Sequence, residues 1–207
     1  NDFTEMSGSV SHAGEVANLR VSAAFIDHSL QTRYDATGAF GGTGPAAFDE
    51  DRSVDLSVAE AVLTSSGEGR LAWLLGAFAS QTNEIDKAKL SELAGGPARS
   101  VYRRRDNLSE GALYGEAAYD INKRFTVTVG GRLFATRVSS ESDDFDLAPG
   151  LIQPKRHVSD SGVAPKFRAS YAWSPDLVAY IQYQEGFRAG GFNIPAAADG
   201  VAPGRIG

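Results

Sequence analysis

Three histidines, His12, His28 and His157, are the first side chains to weigh for metal chemistry, but they stand far apart with no second ligand at metal spacing. Each reads as a surface or loop residue. The acidic run Glu141-Ser142-Asp143-Asp144-Phe145-Asp146 offers hard oxygen ligands for a divalent cation, yet lacks the Gly and terminal Glu spacing of a calcium loop. A solvated acidic loop accounts for it, and for Asp49-Glu50-Asp51 as well. Glycoside hydrolysis needs two carboxylates facing one another across a substrate, which adjacency in sequence does not supply. There is no Gly-x-Ser-x-Gly elbow and no cysteine, so thiol nucleophiles, thiolate zinc sites and disulfides are excluded. Gly186 to Gly191 is glycine-rich but leads into Phe192-Asn193-Ile194-Pro195 instead of a helix, so it fails as a phosphate cradle. Arg103-Arg104-Arg105 is the one basic cluster, placed where it could meet lipopolysaccharide phosphate or an anionic solute, or simply be solvated. Neither an enzyme nor a resident cofactor or metal is expected.

The elements that carry these residues are strands. The 207 residues carry 20 Lys and Arg against 26 Asp and Glu, a net charge of −6, with 42% hydrophobic and 22% charged residues. That balance argues against a disordered tail and against a nucleic-acid partner. No stretch approaches the roughly 18 apolar residues of a membrane-spanning helix, though a barrel strand needs lipid contact only at every second residue. Asn1-Asp2-Phe3 opens no signal peptide, so the chain is expected either not to be exported or not to start at its gene's beginning.

Period-two alternation is the dominant pattern. Phe125, Val127, Val129, Gly131 and Leu133 oppose Thr126, Thr128, Gly130 and Arg132; Pro165, Phe167, Ala169, Tyr171 and Trp173 oppose Ala164, Lys166, Arg168, Ser170 and Ala172. The split recurs from Leu177 and from Leu19. Short turns fall at His12 to Ala17, Ser65 to Gly69, Asp120 to Lys123 and Ser174-Pro175-Asp176. Long connections fall at about Ala36 to Asp51, Lys87 to Asn107, Glu141 to Val158 and from Ala189 onward, and the two kinds alternate.

The implied strands are Thr4 to Ser11, Asn18 to Asp35, Arg52 to Thr64, Arg70 to Asp86, Leu108 to Tyr119, Arg124 to Ser140, Ser159 to Trp173 and Leu177 to Arg188. Long antiparallel strands with tight turns at one end and long loops at the other describe an outer-membrane barrel wall, turns toward the periplasm and loops outside. Tyr119, Phe125, Tyr171 and Trp173 sit beside the short turns, as an interfacial aromatic girdle would. The faces opposite lipid carry Arg20, Glu60, Glu116, Arg132, Lys166, Arg168, Gln182 and Gln184. In a soluble sandwich the same faces would meet solvent and the apolar ones the core. Strand length and loop asymmetry select the barrel.

The segment PKFRASYAWSPDLVAYIQYQEGFRAGGFN, Pro165 to Asn193, strongly resembles the barrel of TonB-dependent outer-membrane receptors, above all at Gly186 to Asn193. GEAAYDINKRFTVTVGGRLFATR, Gly115 to Arg137, is similar to the preceding hairpin of that family, and GRLAWLLGAF, Gly69 to Phe78, to an earlier one. The resemblance implies a 22-stranded transporter with a plug in its lumen. It also implies residence in the bacterial outer membrane and uptake of a scarce solute such as a ferric siderophore. The partners it implies are outer-membrane lipid and lipopolysaccharide, the solute, and the TonB complex, reached through an N-terminal region. Residues 1–207 are then expected to be a partial barrel domain, an all-β antiparallel wall of about eight strands, with the plug and the remaining strands absent. Candidate solute contacts in lumen or loops are Arg132, Arg168, Gln182, Gln184, Arg188 and Asn193. Two alternatives stay open at this point: a complete eight-stranded outer-membrane protein with an adhesion or structural role, and a soluble carbohydrate-binding β-sandwich.

Overall fold

The computed structural model describes residues 1–37, 44–67, 69–92, 100–144, 152–187, 191–192 and 205–206. Eight long strands follow one another: β1 (Asp2–Ala13), β2 (Ala17–Asp35), β3 (Ala46–Ser65), β4 (Leu71–Glu92), β5 (Ser100–Asn122), β6 (Phe125–Asp144), β7 (Ile152–Ser174) and β8 (Leu177–Gln184). Each pairs antiparallel with the next, in the order β1 to β8. β1 and β8 are the two edges of this open sheet; neither closes on the other among the described residues. A second ribbon of two residues per strand, β9 (Gly191–Phe192) and β10 (Arg205–Ile206), stands apart.

The register turns the alternation into two faces. On β6 the residues Phe125, Val127, Val129, Leu133 and Ala135 share a face with Ala169, Phe167 and Val163 of β7 and with Tyr119, Ala117 and Leu113 of β5. This apolar face is exposed: Leu113, Val129, Leu133, Val163 and Ile181 are all about half uncovered or more. On the opposite, polar face lie Asp86, Ala88, Leu90, Ala112, Thr136 and Ala164, all buried, with Ala47 as the buried exception on the apolar side. A single sheet buries one face only by curling toward it, which makes the polar face the inner one. No second sheet lies against the apolar face among the described residues, as the sandwich alternative would need.

The band from Phe125 to Ala135 is about 34 Å long at strand rise, and tilted by about 45° it spans about 24 Å, close to the height of a barrel's lipid-facing belt. The band is not level along the hydrogen-bonded rows. Leu19 and Leu63 end it on β2 and β3 in the row of Leu75 and Gly115, whereas β4 carries it on to Leu71 and β7 to Trp173. A belt that crosses inclined strands takes this course. At its lower edge Tyr171 and Trp173 meet edge to face at 5.0 Å. The turn below β5 is held by Asn122, whose Oδ1 accepts from the backbone N–H groups of Arg124 (2.8 Å) and Phe125 (3.0 Å).

The strands run well past the expected ends on the long-loop side. β3 begins at Ala46, β4 continues to Glu92, β5 begins at Ser100, β6 reaches Asp144 and β7 begins at Ile152. Asp49-Glu50-Asp51, Arg103-Arg104-Arg105 and Glu141 to Asp144 are therefore strand residues, not loop residues, while Phe145 and Asp146 lie outside the described residues. Beyond the apolar band the outward face turns charged and the apolar residues Ala88 and Leu90 fall on the inner face, so the sidedness of the alternation reverses while the pairing continues. Each charged run is split between faces: Arg103 and Arg105 outward, Arg104 inward beside Asp106 at 2.6 Å. The three histidines also stand in strands, His28 with Nε2 2.9 Å from Asn1 Oδ1. β8 stops at Gln184, short of the expected Arg188.

Candidate functional site: the polar face

The inner face carries two tiers of charged and aromatic side chains. The middle tier is built on three glycines. Gly76 of β4 lies opposite Tyr114 of β5 and diagonal to Glu60 of β3, and the Tyr114 ring lies across it so that its hydroxyl donates to Glu60 at 2.6 Å. A Cβ at Gly76 would overlap that ring. Gly130 of β6 faces Glu116 on β5 and Lys166 on β7, and Lys166 Nζ crosses it to donate to Glu116 at 2.6 Å. A Cβ at Gly130 would approach Glu116 Cβ to 2.7 Å. Gly162 of β7 lies opposite Phe134 of β6, with 3.0 Å from its would-be Cβ to Phe134 Cζ; the Phe134 ring stacks on Phe187, beyond β8, at 3.6 Å between centroids. In the first two cases the absent side chain lets two strands that are not neighbours touch, and in the third it lets β6 meet the segment beyond β8.

Arg132 occupies the centre. Its Nη2 donates to Glu110 at 2.5 Å, and its guanidinium lies 5.2 Å from the centroid of Phe78 and 5.8 Å from those of Tyr114 and Phe187. Its Nε is buried without a hydrogen-bond partner among the described residues.

The outer tier sits beyond the apolar band, toward the long loops. Arg52 lies within 3.3 to 3.4 Å of three carboxylates, Glu50, Glu84 and Asp86, and the Tyr102 hydroxyl donates to Asp86 at 3.4 Å. Burial, and then the nearby Asp86 charge, push the Tyr102 phenol above its ordinary pKa, so it stays a neutral donor. Among the described residues no group of three His, Cys, Asp or Glu could hold a metal ion. Both tiers are suited to holding polar surfaces in place, through forked guanidinium donors and aromatic planes.

Of the expected site residues, Arg132 lies in the middle tier. Arg168 packs over the Tyr180 ring at 4.5 Å, near the short turns, and Gln182 donates to Gln184 at 3.1 Å beside it. Arg188 and Asn193 lie outside the described residues. Tyr114, Glu110, Phe187 and the Arg52 cluster were not expected. The only sequence signal for them is a glycine at an inward position of the strand between two partners, and it becomes readable once register is known.

Residues 5–204 match the family model described as TonB dependent receptor-like, beta-barrel. The chain belongs to this family. Comparison with curated proteins by sequence gives no match. Among solved structures, the ferric yersiniabactin uptake receptor FyuA from Yersinia pestis is similar over 99% of this chain, with a TM-score of 0.83 and 14% identity. The siderophore receptor PiuA from Acinetobacter baumannii matches 88% of the chain at TM-score 0.63 and 10% identity, and the copper transporter OprC matches 94% at 0.60 and 13%. At these identities the likeness is one of fold. The chain spans 31% of FyuA, 32% of PiuA and 30% of OprC.

Proposed function

We propose that this TonB-dependent receptor-like chain is a stretch of the wall of an outer-membrane transporter, with its polar face turned to the passage of a scarce solute. The observation that carries the reading is the open eight-stranded sheet with a lipid-height apolar band outside and a charged, aromatic face inside. Two free edges in hydrocarbon would each leave a row of unpaired backbone groups, at several kcal/mol per group, so β1 and β8 pair with further strands of a wider cylinder. This is what separates the reading from a closed eight-stranded protein. Residues 1–207 expressed alone are accordingly expected not to refold into a heat-resistant band in detergent, and a protease-protected band would overturn the partial-wall reading.

The inner face fits a polar filling. The buried Nε atoms of Arg104 and Arg132 and the Oδ1 atoms of Asp86 and Asp106 have no partner among the described residues, as expected of a face that a plug covers. The TonB complex is the energy source in this reading, coupled through an N-terminal region, and lipid and lipopolysaccharide are the wall's surroundings. FyuA is named for ferric yersiniabactin uptake and PiuA as a siderophore receptor, which makes a ferric siderophore the leading solute, with Arg132, Arg168, Gln182 and Gln184 lining its route. The test is growth and uptake of radioactive ferric siderophores by a strain lacking the gene, with and without TonB. Restored, TonB-dependent uptake is expected. Unchanged uptake across a siderophore panel and across copper would reject the transport reading, as would recovery of the protein in the soluble fraction.

A further inference from the structure

The last long strand of the wall ends early. β8 keeps step with β7 only between Lys166↔Gln184 and Ser174↔Leu177, eight residues beside a neighbour of 23. One bond follows, from the Glu185 N–H to the Pro165 carbonyl at 3.0 Å, and Pro165 has no N–H to return it. The chain then turns to the polar face at Gly186. Phe187 reaches across β7 to lie flat on Phe134 of β6, 3.6 Å between centroids and 9° between planes, with the Arg132 guanidinium 5.8 Å from its centroid.

This inward course leaves the edge of β7 open where it meets the apolar band. The Pro165 carbonyl faces β8, so the N–H and C=O of Val163, two residues on, face the same way. Among the described residues neither has a partner. Val163 points outward and is 62% exposed, so these groups stand at lipid height, where unpaired backbone is strongly disfavoured. Continuing the register of β7 and β8 by two residues sets Gly186 opposite Ala164 and Phe187 opposite Val163. There Val163 and Phe187 would exchange both backbone bonds, and the Phe187 ring would join Val163 on the apolar face. Gly186, with nothing near the place of a Cβ, is free to swing between the two courses.

We infer that Phe187 is a latch with two seats: inward on Phe134 beside Arg132, where it narrows the passage, and outward in register with Val163, where it clears it. The inner seat offers a stacked ring and a cation–π contact. The outer seat offers two backbone hydrogen bonds and an apolar surrounding. Each seat satisfies what the other leaves open, so the two are close enough in free energy for a ligand to choose between them. The solute makes that choice. A solute touching Arg132 and the Phe134 ring competes with Phe187 for the inner seat and has no stake in the outer one, so its arrival moves the latch outward.

The inference rests on the reading that Arg132 lines the solute's route, and the full-length receptor in outer membranes tests it. Two cysteine pairs are bridged by a short thiol crosslinker that reductant cleaves: Phe187→Cys with Phe134→Cys for the inner seat, and Phe187→Cys with Val163→Cys for the outer one. Both pairs are expected to bridge. With the panel siderophore that best supports growth, the closed inner bridge is expected to cut uptake at least about tenfold, reversibly with reductant, and the closed outer bridge to leave it within about twofold. A readout without cysteines is amide hydrogen exchange at Val163. Phe134→Ala removes the inner seat and is expected to slow that exchange about threefold to tenfold, the worth of a stacked aromatic pair. A Val163–Phe187 pair that stays unbridged while the inner pair closes, or unaltered exchange in Phe134→Ala, overturns the second seat. Undiminished uptake through the closed inner bridge overturns the gating. Uptake of no panel member sinks the transport reading instead, while bridging and exchange still decide whether Phe187 has two seats.

Discussion

The two faces of β6 differ as much as two proteins do, although each is made of every second residue of the same twenty. The outer face, from Phe125 to Ala135, has hydrocarbon side chains beside others of their kind across the register, half-buried at Phe125 and Val127 and exposed at Val129 and Leu133. The inner face, with Arg132 and Phe134, is tied through hydrogen bonds, stacking and cation–π contacts to β4, β5 and the segment beyond β8. The first face draws its stability from the solvent it meets, and the second from specific partners. Changing polarity should therefore hurt the outer face most, and changing shape the inner one.

The sharpest way to break this contrast is to put the same charge on both faces. In the full-length protein, Val129→Arg places it near the middle of the belt and is expected to cost about 2–4 kcal/mol, whereas Thr128→Arg, one residue earlier and facing inward opposite Arg168, should cost only about 0.2–1 kcal/mol from like charge. Chemical denaturation in lipid or detergent measures both; equal costs would abolish the contrast, and a larger cost for Thr128→Arg would reverse the assignment of faces. Next in size, Gly76→Leu is expected to destabilise by about 1–3 kcal/mol by driving a side chain into the Tyr114 ring. Adding Tyr114→Ala should recover much of that loss, and a double-mutant cycle with no coupling would show that the ring does not cross Gly76. Smaller again, Tyr114→Phe keeps the ring and removes only the donor to Glu60, a loss of about 1 kcal/mol in this part-exposed setting.

The smallest effect belongs to the outward pair Arg33–Asp49. The hydrogen bond from Arg33 holds the Asp49 carboxyl below its ordinary value of about 3.9. Its contribution is complete above that ordinary value and is lost as pH falls through the lowered one. Unfolding midpoints of wild type and Asp49→Asn should thus differ slightly at pH near 7 and converge in strong acid, and also in high salt, since the pair is exposed.

Much of the wall was legible in the sequence, for a specific reason. A strand between lipid and a polar interior must alternate, so Phe125 to Leu133 and Pro165 to Trp173 announce both the strand and the direction of each side chain. Their extensions were not legible: beyond the belt the outward face turns charged at Lys87, Lys89, Arg103 and Arg105 while Ala88 and Leu90 fall on the inner face, so the sidedness of the alternation reverses and the stretches resemble loop. The tight turns at Asn122 and Pro175 showed through their own chemistry. Within the candidate site, Arg132 and Arg168 could be placed on the inner face by parity alone. Their aromatic neighbours could not, because the contacts among Arg132, Phe78 and Phe187 depend on the register of several strands at once.

The three inward glycines have a bearing on assembly. A slip of one residue between strands would turn every side chain to the wrong face, and the alternation forbids it. A slip of two residues preserves the faces, so alternation offers no defence against it. It would, however, bring Leu74 or Phe78 under the Tyr114 ring in place of Gly76, Thr128 or Arg132 between Glu116 and Lys166 in place of Gly130, and Asp160 or Ala164 beside Phe134 in place of Gly162. Each glycine is thus a notch that accepts one bulky side chain in one register only. Strands added one after another to a growing wall can be proofread at these notches, and a misaligned hairpin is rejected by shape where greasiness could not tell the difference.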